Sequence, residues 1–219
     1  MTEAEWQTSN SPERMLTRAW AAATPRKKRL FVCGCCYRAW HLLPDPRCRT
    51  AVRVAERFAD GEATEEALGT AHRAARAIIG RYTRGESYTD AERFSGTAAS
   101  AYAASADVEH GRWQWKDVAN TRLDAGANWH AELAATADLI RCVFGNPFRP
   151  VAVEPEWRTS TAVALATGIY ADRAFDRLPV LADALEDAGC TNADVLGHCR
   201  GPGPHARGCW VVDLILGKC

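Results

Sequence analysis

Five side chains able to ligate a metal, Cys190, His198, Cys199, His205 and Cys209, crowd into one short segment near the C-terminus. Thiolates and imidazoles are the ligands zinc prefers. A loop bent by Gly201, Pro202, Gly203, Pro204 and Gly208 gathers them at little cost in loop-closure entropy. Cys190, Cys199, His205 and Cys209 make one tetrahedral set, with His198 as a substitute ligand or a hydrogen-bonding support. The spacing lacks the paired C-x-x-C knuckles of strong zinc motifs. Buried thiols beside surface or capping histidines are therefore the reading this spacing favours, with the metal site second.

The same segment is open to two other chemistries. Arg200 and Arg207 flank a glycine-rich turn, and backbone N–H groups converging there at the start of a last helix would receive a phosphate or carboxylate. Alternatively, Cys209 at a helix N-terminus would have a lowered pKa. With His205 as base and Asp213 one turn on, it would make a Cys-His hydrolase or transferase. A second cysteine group, Cys33, Cys35 and Cys36, precedes Trp40 and His41. Cys33, Cys36 and His41 would bind metal only with ligands from another segment, so helix packing leads there.

The run Arg26-Lys-Lys-Arg29 sits at a helix start, where cations oppose the helix dipole and need acids, solvent or a partner. Nucleic acid or an acidic protein surface would satisfy them. The chain as a whole balances 27 Lys and Arg against 27 Asp and Glu, which argues against a dedicated nucleic-acid binder and favours acids supplied by other helices. The eight tryptophans are dispersed, as core anchors are, and make no stacking platform.

The elements that must position these residues are helices. Ser11-Pro12, Thr24-Pro25 and Asp45-Pro46 each put a capping residue before a proline at the first helical position. Thr64-Glu65-Glu66 repeats the start signal with acids in the first turn, and Thr89 to Glu92 fits a capping box. Apolar residues recur at three- and four-residue spacing (Leu30, Cys33, Tyr37, Trp40; Val52, Ala55, Phe58), and alanine dominates from about 97 to 137. Val151-Ala-Val153 is the best β candidate and reads equally as extended loop. The fold class expected is all-α, a multi-helix bundle.

Gly145-Asn-Pro-Phe-Arg-Pro150 breaks any helix and suggests a boundary, with an N-terminal helical region 1–143 and a C-terminal short-helix region 144–219, the alternative being one continuous domain. In the latter, helices are expected at about 160–172, 177–188, 192–199 and 208–217. Asp176 would cap the second, Gly189 end it, and Thr191 or Asn192 cap the third.

At 219 residues, 47% hydrophobic and 25% charged, the chain can bury a sizeable core. No apolar run approaches a membrane span, and the first 25 residues do not read as a signal peptide. A cytoplasmic protein with its nine cysteines reduced is the expectation.

The strings Arg29-Leu-Phe-Val-Cys-Gly-Cys-Cys-Tyr-Arg-Ala-Trp-His-Leu-Leu43, Phe144-Gly-Asn-Pro-Phe-Arg-Pro150, Ala174-Phe-Asp-Arg-Leu-Pro179 and His198-Cys-Arg-Gly-Pro-Gly-Pro-His-Ala-Arg-Gly-Cys-Trp210 resemble a family of uncharacterised bacterial proteins. The resemblance implies a bacterial, intracellular protein and transfers no activity. From the residues themselves, the leading expectation is a structural or protein-interaction module whose loop residues Cys190, His198, Cys199, His205 and Cys209 are structural and able to hold zinc. The alternatives are an enzyme using the 198–209 loop and a nucleic-acid binder using residues 26–29.

Overall fold

A computed structural model describes residues 1–43, 45–83, 103 and 105–218. The described residues form α-helices joined by single 3-10 turns and loops, with no β-strand among them. In chain order the helices are α1 (Glu3–Thr8), α2 (Pro12–Ala19), α3 (Pro25–Arg38), α4 (Pro46–Ala59), α5 (Glu65–Thr83), α6 (Gln114–Asp124), α7 (Trp129–Phe144), α8 (Ser160–Asp172), α9 (Leu178–Asp187), α10 (Ala193–Arg200) and α11 (Trp210–Leu216). No described helix is long and apolar enough to cross a membrane.

The start signals act where the sequence places them, although Ser11 makes no side-chain bond to the first turn of α2. Prolines open α2, α3 and α4. Thr24 Oγ1 accepts from the Lys27 N–H, and an Asp45 carboxylate oxygen accepts from the Arg47 N–H. Thr64 caps α5 and Asn192 caps α10, each satisfying N–H groups that lack an intrahelical partner. Asp176 does not cap α9. It lies inside a 3-10 turn, Phe175–Arg177, that runs straight into the helix, so no extended residue stands at its position to receive the N–H groups. Val151 to Val153 is loop. The box at Thr89 to Glu92 and part of the alanine-rich stretch fall outside the described residues.

At the centre lies α3, whose residues from Lys28 to Cys36 are all buried. It packs against α4, α6 and α7, which explains an apolar pattern that runs around the helix instead of along one stripe. Cys33, Cys35 and Cys36 are core residues, and burial pushes the Cys35 thiol up to about 12. His41 is exposed in the next turn, so it does not join Cys33 and Cys36 around an ion.

The basic run at the start of α3 is turned inward. Arg26 forks onto Asp213 of α11 (Nη1–Oδ2 2.7 Å, Nη2–Oδ1 3.1 Å) and bonds Asp60 (Nε–Oδ1 3.0 Å) and the Tyr170 hydroxyl (2.9 Å). Lys27 Nζ meets Asp213 at 2.6 Å and donates to the Gly208 carbonyl at 2.7 Å. Lys28 pairs with Glu109 (2.6 Å), and Arg29 donates to the carbonyls of Ala103 and Ser105 (2.7 Å each). The cations that the sequence offers to a nucleic acid are consumed inside the protein, where they tie α3 to α4, α8 and α11.

The apolar core forms two clusters. One gathers side chains from Trp6 to Val143 with Ala206, and the other joins Cys142 to residues between Trp157 and Ile215. Asp213, on α11 of the second, pairs with cations of α3 in the first. Asp213→Asn removes the charge facing both Arg26 and Lys27 and is expected to cost about 3–5 kcal/mol in urea unfolding, as for a broken buried pair. Arg200→Ala, at an exposed pair, is expected to cost less than about 1 kcal/mol.

A second test concerns pH. Burial pushes the Asp117 carboxyl from its ordinary 3.8 up to about 6. Across that window the folded chain keeps a proton that the unfolded chain has released, so stability falls as pH rises. Asp117→Asn should flatten that slope in melts taken from pH 4 to 6.5.

Candidate metal centre

Four ligand atoms, one each from Cys142, His198, His205 and Cys209, all lie within 4.8 Å of one another. They come from four places in the chain. Cys142 is in the last turn of α7, His198 in the last turn of α10, His205 in the following loop, and Cys209 immediately before α11.

The loop owes its path to two glycines. Gly203 has φ +82°, and a Cβ there would stand 2.9 Å from the His205 amide nitrogen. Gly208 has φ +87°, and its Cβ would press on Leu30 at 3.0 Å. Only glycine adopts these angles freely and leaves that space. Between them the Cys209 N–H bonds the Ala206 carbonyl (2.9 Å), and the Arg207 guanidinium donates to the carbonyls of Tyr170 (3.1 Å) and Ala171 (2.9 Å) at the end of α8. The loop is thus pinned just before Cys209.

The distances suit a small tetrahedral ion. Cys142 Sγ lies 3.6 Å from His205 Nδ1, and His198 Nε2 lies 3.2 Å from Cys209 Sγ. With Zn–S of about 2.3 Å and Zn–N of about 2.0 Å, the sulfur–nitrogen edge of a tetrahedron is about 3.5 Å. His205 Nε2 is 3.2 Å from the Gly201 carbonyl oxygen. A carbonyl only accepts, so Nε2 carries the hydrogen, and Nδ1, facing Cys142, is the ring nitrogen placed to ligate an ion. A backbone acceptor on the far nitrogen is the usual support of a metal-binding histidine. The His198 ring stands edge-on to that of His205 (centroids 5.0 Å apart) and leans on Trp210 at 5.5 Å.

The charge pattern fits cation binding. Burial opposes ionisation of Cys209, but the bond to Cys142 and the neighbouring His198 and His205 outweigh it and hold this thiol well below its ordinary value. Burial, reinforced by Cys209, pushes Cys142 well up. For His205, burial disfavours the charge, while Cys209 and the Gly201 carbonyl raise its pKa overall. Metal binding requires deprotonated thiols, so a bound cation would favour the ionised form of both cysteines.

Of the five ligands read from sequence, His198, His205 and Cys209 come together, whereas Cys190 and Cys199 lie buried in the apolar cluster of the C-terminal helices. Burial pushes the Cys199 thiol up, with Cys209 and Cys190 adding to the effect. Cys142 takes the remaining place. In the sequence it reads as one more apolar position of α7, three after Leu139, and only the sharp turn at 145–150 hints that the chain folds back over it.

Arg200 and Arg207 do not share an anion cradle: Arg200 pairs with Asp183 (2.8 Å) and Glu186 on the surface, and Arg207 closes α8. Asp213 serves Arg26 and Lys27 and does not orient His205. Cys209 has no exposed surface.

No family model, no curated protein and no solved structure matches this chain. The functional reading rests on the geometry of the cluster.

Gly208→Ala should destabilise the protein by about 1–3 kcal/mol and, by shifting Cys209, make its thiol reactive toward an aromatic disulfide reagent. Gly197→Ala, on the open face of α10 with no neighbour within 4 Å of the added carbon, should be neutral or stabilise by up to about 1 kcal/mol.

Proposed function

We propose that Cys142, His198, His205 and Cys209 hold one zinc ion in a closed, four-ligand structural site, and that the protein is a zinc-stapled helical scaffold. The observation that carries this reading is His205, whose Nε2 bonds the Gly201 carbonyl while Nδ1 faces Cys142. Two sulfurs and two imidazole nitrogens are a zinc donor set, and four protein ligands leave no position for a substrate. Bound there, zinc would supply a fixed tetrahedral joint and no redox chemistry. The ligands span α7, α10, the loop and the start of α11, so the ion would clamp the C-terminal helices to the helix that ends the first core cluster. The buried position of Cys209 supports a structural role over a catalytic one.

Protein purified without chelators should carry one zinc per chain by elemental mass spectrometry. Cys142→Ser and His205→Ala should each lose the metal, while Cys190→Ser and Cys199→Ser keep it. Stripping zinc with a strong chelator should lower the melting temperature by about 10 °C, the shift expected for roughly 4 kcal/mol of ligand linkage in a protein of this size. Metal-free native protein, or a Cys142→Ser variant that keeps its zinc, would contradict the site.

A further inference from the structure

A cavity of about 540 Å³, within the size range of small-molecule sites, opens at the seam between the two core clusters. The turn after α7, from Gly145 to Val153, lines it together with Trp210 and Leu214 of α11, and Ala22 and Phe144 also contribute. The lining is mostly apolar and carries five charged residues, Lys27, Arg149, Lys218, Asp194 and Asp213. Their pairing decides what the cavity can take.

The cations are all spent. Lys27 Nζ meets Asp213 at 2.6 Å and the Gly208 carbonyl at 2.7 Å, and Asp213 also takes both guanidinium bonds of Arg26. Lys218 turns to Asp60 at 3.5 Å and stands over the Tyr170 ring, both outside the lining. Arg149 faces two carboxylates, Glu3 of α1 at 3.0 Å and Asp194 in the first turn of α10 at 3.6 Å. One guanidinium between two acids leaves that group one negative charge in excess. Glu3 also receives the Asn146 amide at 2.8 Å, whereas among the described residues no hydrogen-bond donor reaches the Asp194 carboxylate. Asp194 is nonetheless two-thirds covered, its side chain 33% exposed. What the wall leaves open is thus an acceptor on an acid. We propose that this cavity binds a small amphipathic amine, its ammonium on Asp194 and its apolar body against Trp210 and Leu214. The ammonium supplies the charge-assisted donors that Asp194 lacks, and the body takes apolar wall out of water. Lys27 and Lys218 set the orientation, because the ammonium lies away from them. The site uses none of the zinc ligands, although His198 leans on Trp210.

The test is calorimetric titration of the full chain at neutral pH with octylamine, and with octan-1-ol and octanoate as neutral and anionic probes of equal length. Octylamine should bind one to one, roughly tenfold tighter than octanol and tighter still than octanoate. Asp194→Asn should weaken octylamine roughly fivefold or more and leave octanol unchanged. Arg149→Ala, at an exposed position, frees both carboxylates and should tighten octylamine. Ala22→Trp, at an exposed position in the lining, should block octylamine and octanol alike; Val153→Trp serves should that variant fold poorly. No saturable octylamine binding would overturn the proposal, as would octanoate binding as tightly, unchanged octylamine affinity in folded Asp194→Asn, weaker octylamine binding in Arg149→Ala, or full binding in the folded tryptophan variants.

Discussion

Four consecutive cations at the start of a buried helix are the constraint around which this protein is arranged. Placed there, against the dipole of α3, Arg26 to Arg29 cannot remain unmatched, because an uncompensated charge in a core costs several kcal/mol. The chain answers with acids and carbonyls from distant segments: Asp60 after α4, Glu109, the carbonyls of Ala103 and Ser105, and Asp213 on α11. The last of these has consequences for the site. Asp213 lies one turn beyond Cys209 and its N–H bonds the Cys209 carbonyl, so the ion pair that holds α11 also fixes where Cys209 points. Lys27 adds a bond to the Gly208 carbonyl on the other side of the same cysteine.

A second buried network runs alongside. Glu56 of α4 takes the Tyr37 hydroxyl (3.1 Å) and the Arg173 guanidinium, with Arg207 4.0 Å away, and Arg173 stacks over the Tyr37 ring. Arg207 also closes α8, so this network reaches the cysteine–histidine loop from the opposite side. The loop is short of regular structure but not of restraint: charged groups anchored in both core clusters grip it. That explains how four ligands from separate segments converge within 4.8 Å without a contiguous zinc motif.

Much of this was legible in the sequence where the signals are local. Proline after a capping residue marks α2, α3 and α4 because the effect of proline on backbone geometry does not depend on the rest of the fold. The short C-terminal helices follow from Asn192 and the glycines in the same way, and three of the four ligands lie in the segment that the residue types single out. What could not be read is long-range. Nothing near Cys142 distinguishes a ligand from a packed thiol, and Cys199, nearer to the loop in sequence, points into the apolar cluster instead. Likewise the basic run looks like a binding surface until Asp213, far along the chain, is brought to it. Asp176 fails as a cap because the chain enters α9 through a 3-10 turn set by its neighbours.

The most direct measurement is X-ray absorption at the zinc edge of the zinc-loaded protein. A shell of two sulfurs at about 2.3 Å and two nitrogens at about 2.0–2.1 Å is the result expected for Cys142, Cys209, His198 and His205. Three or more sulfurs would bring Cys190 or Cys199 into the shell, and an oxygen-bearing shell would mean an open site. Either would contradict the closed staple.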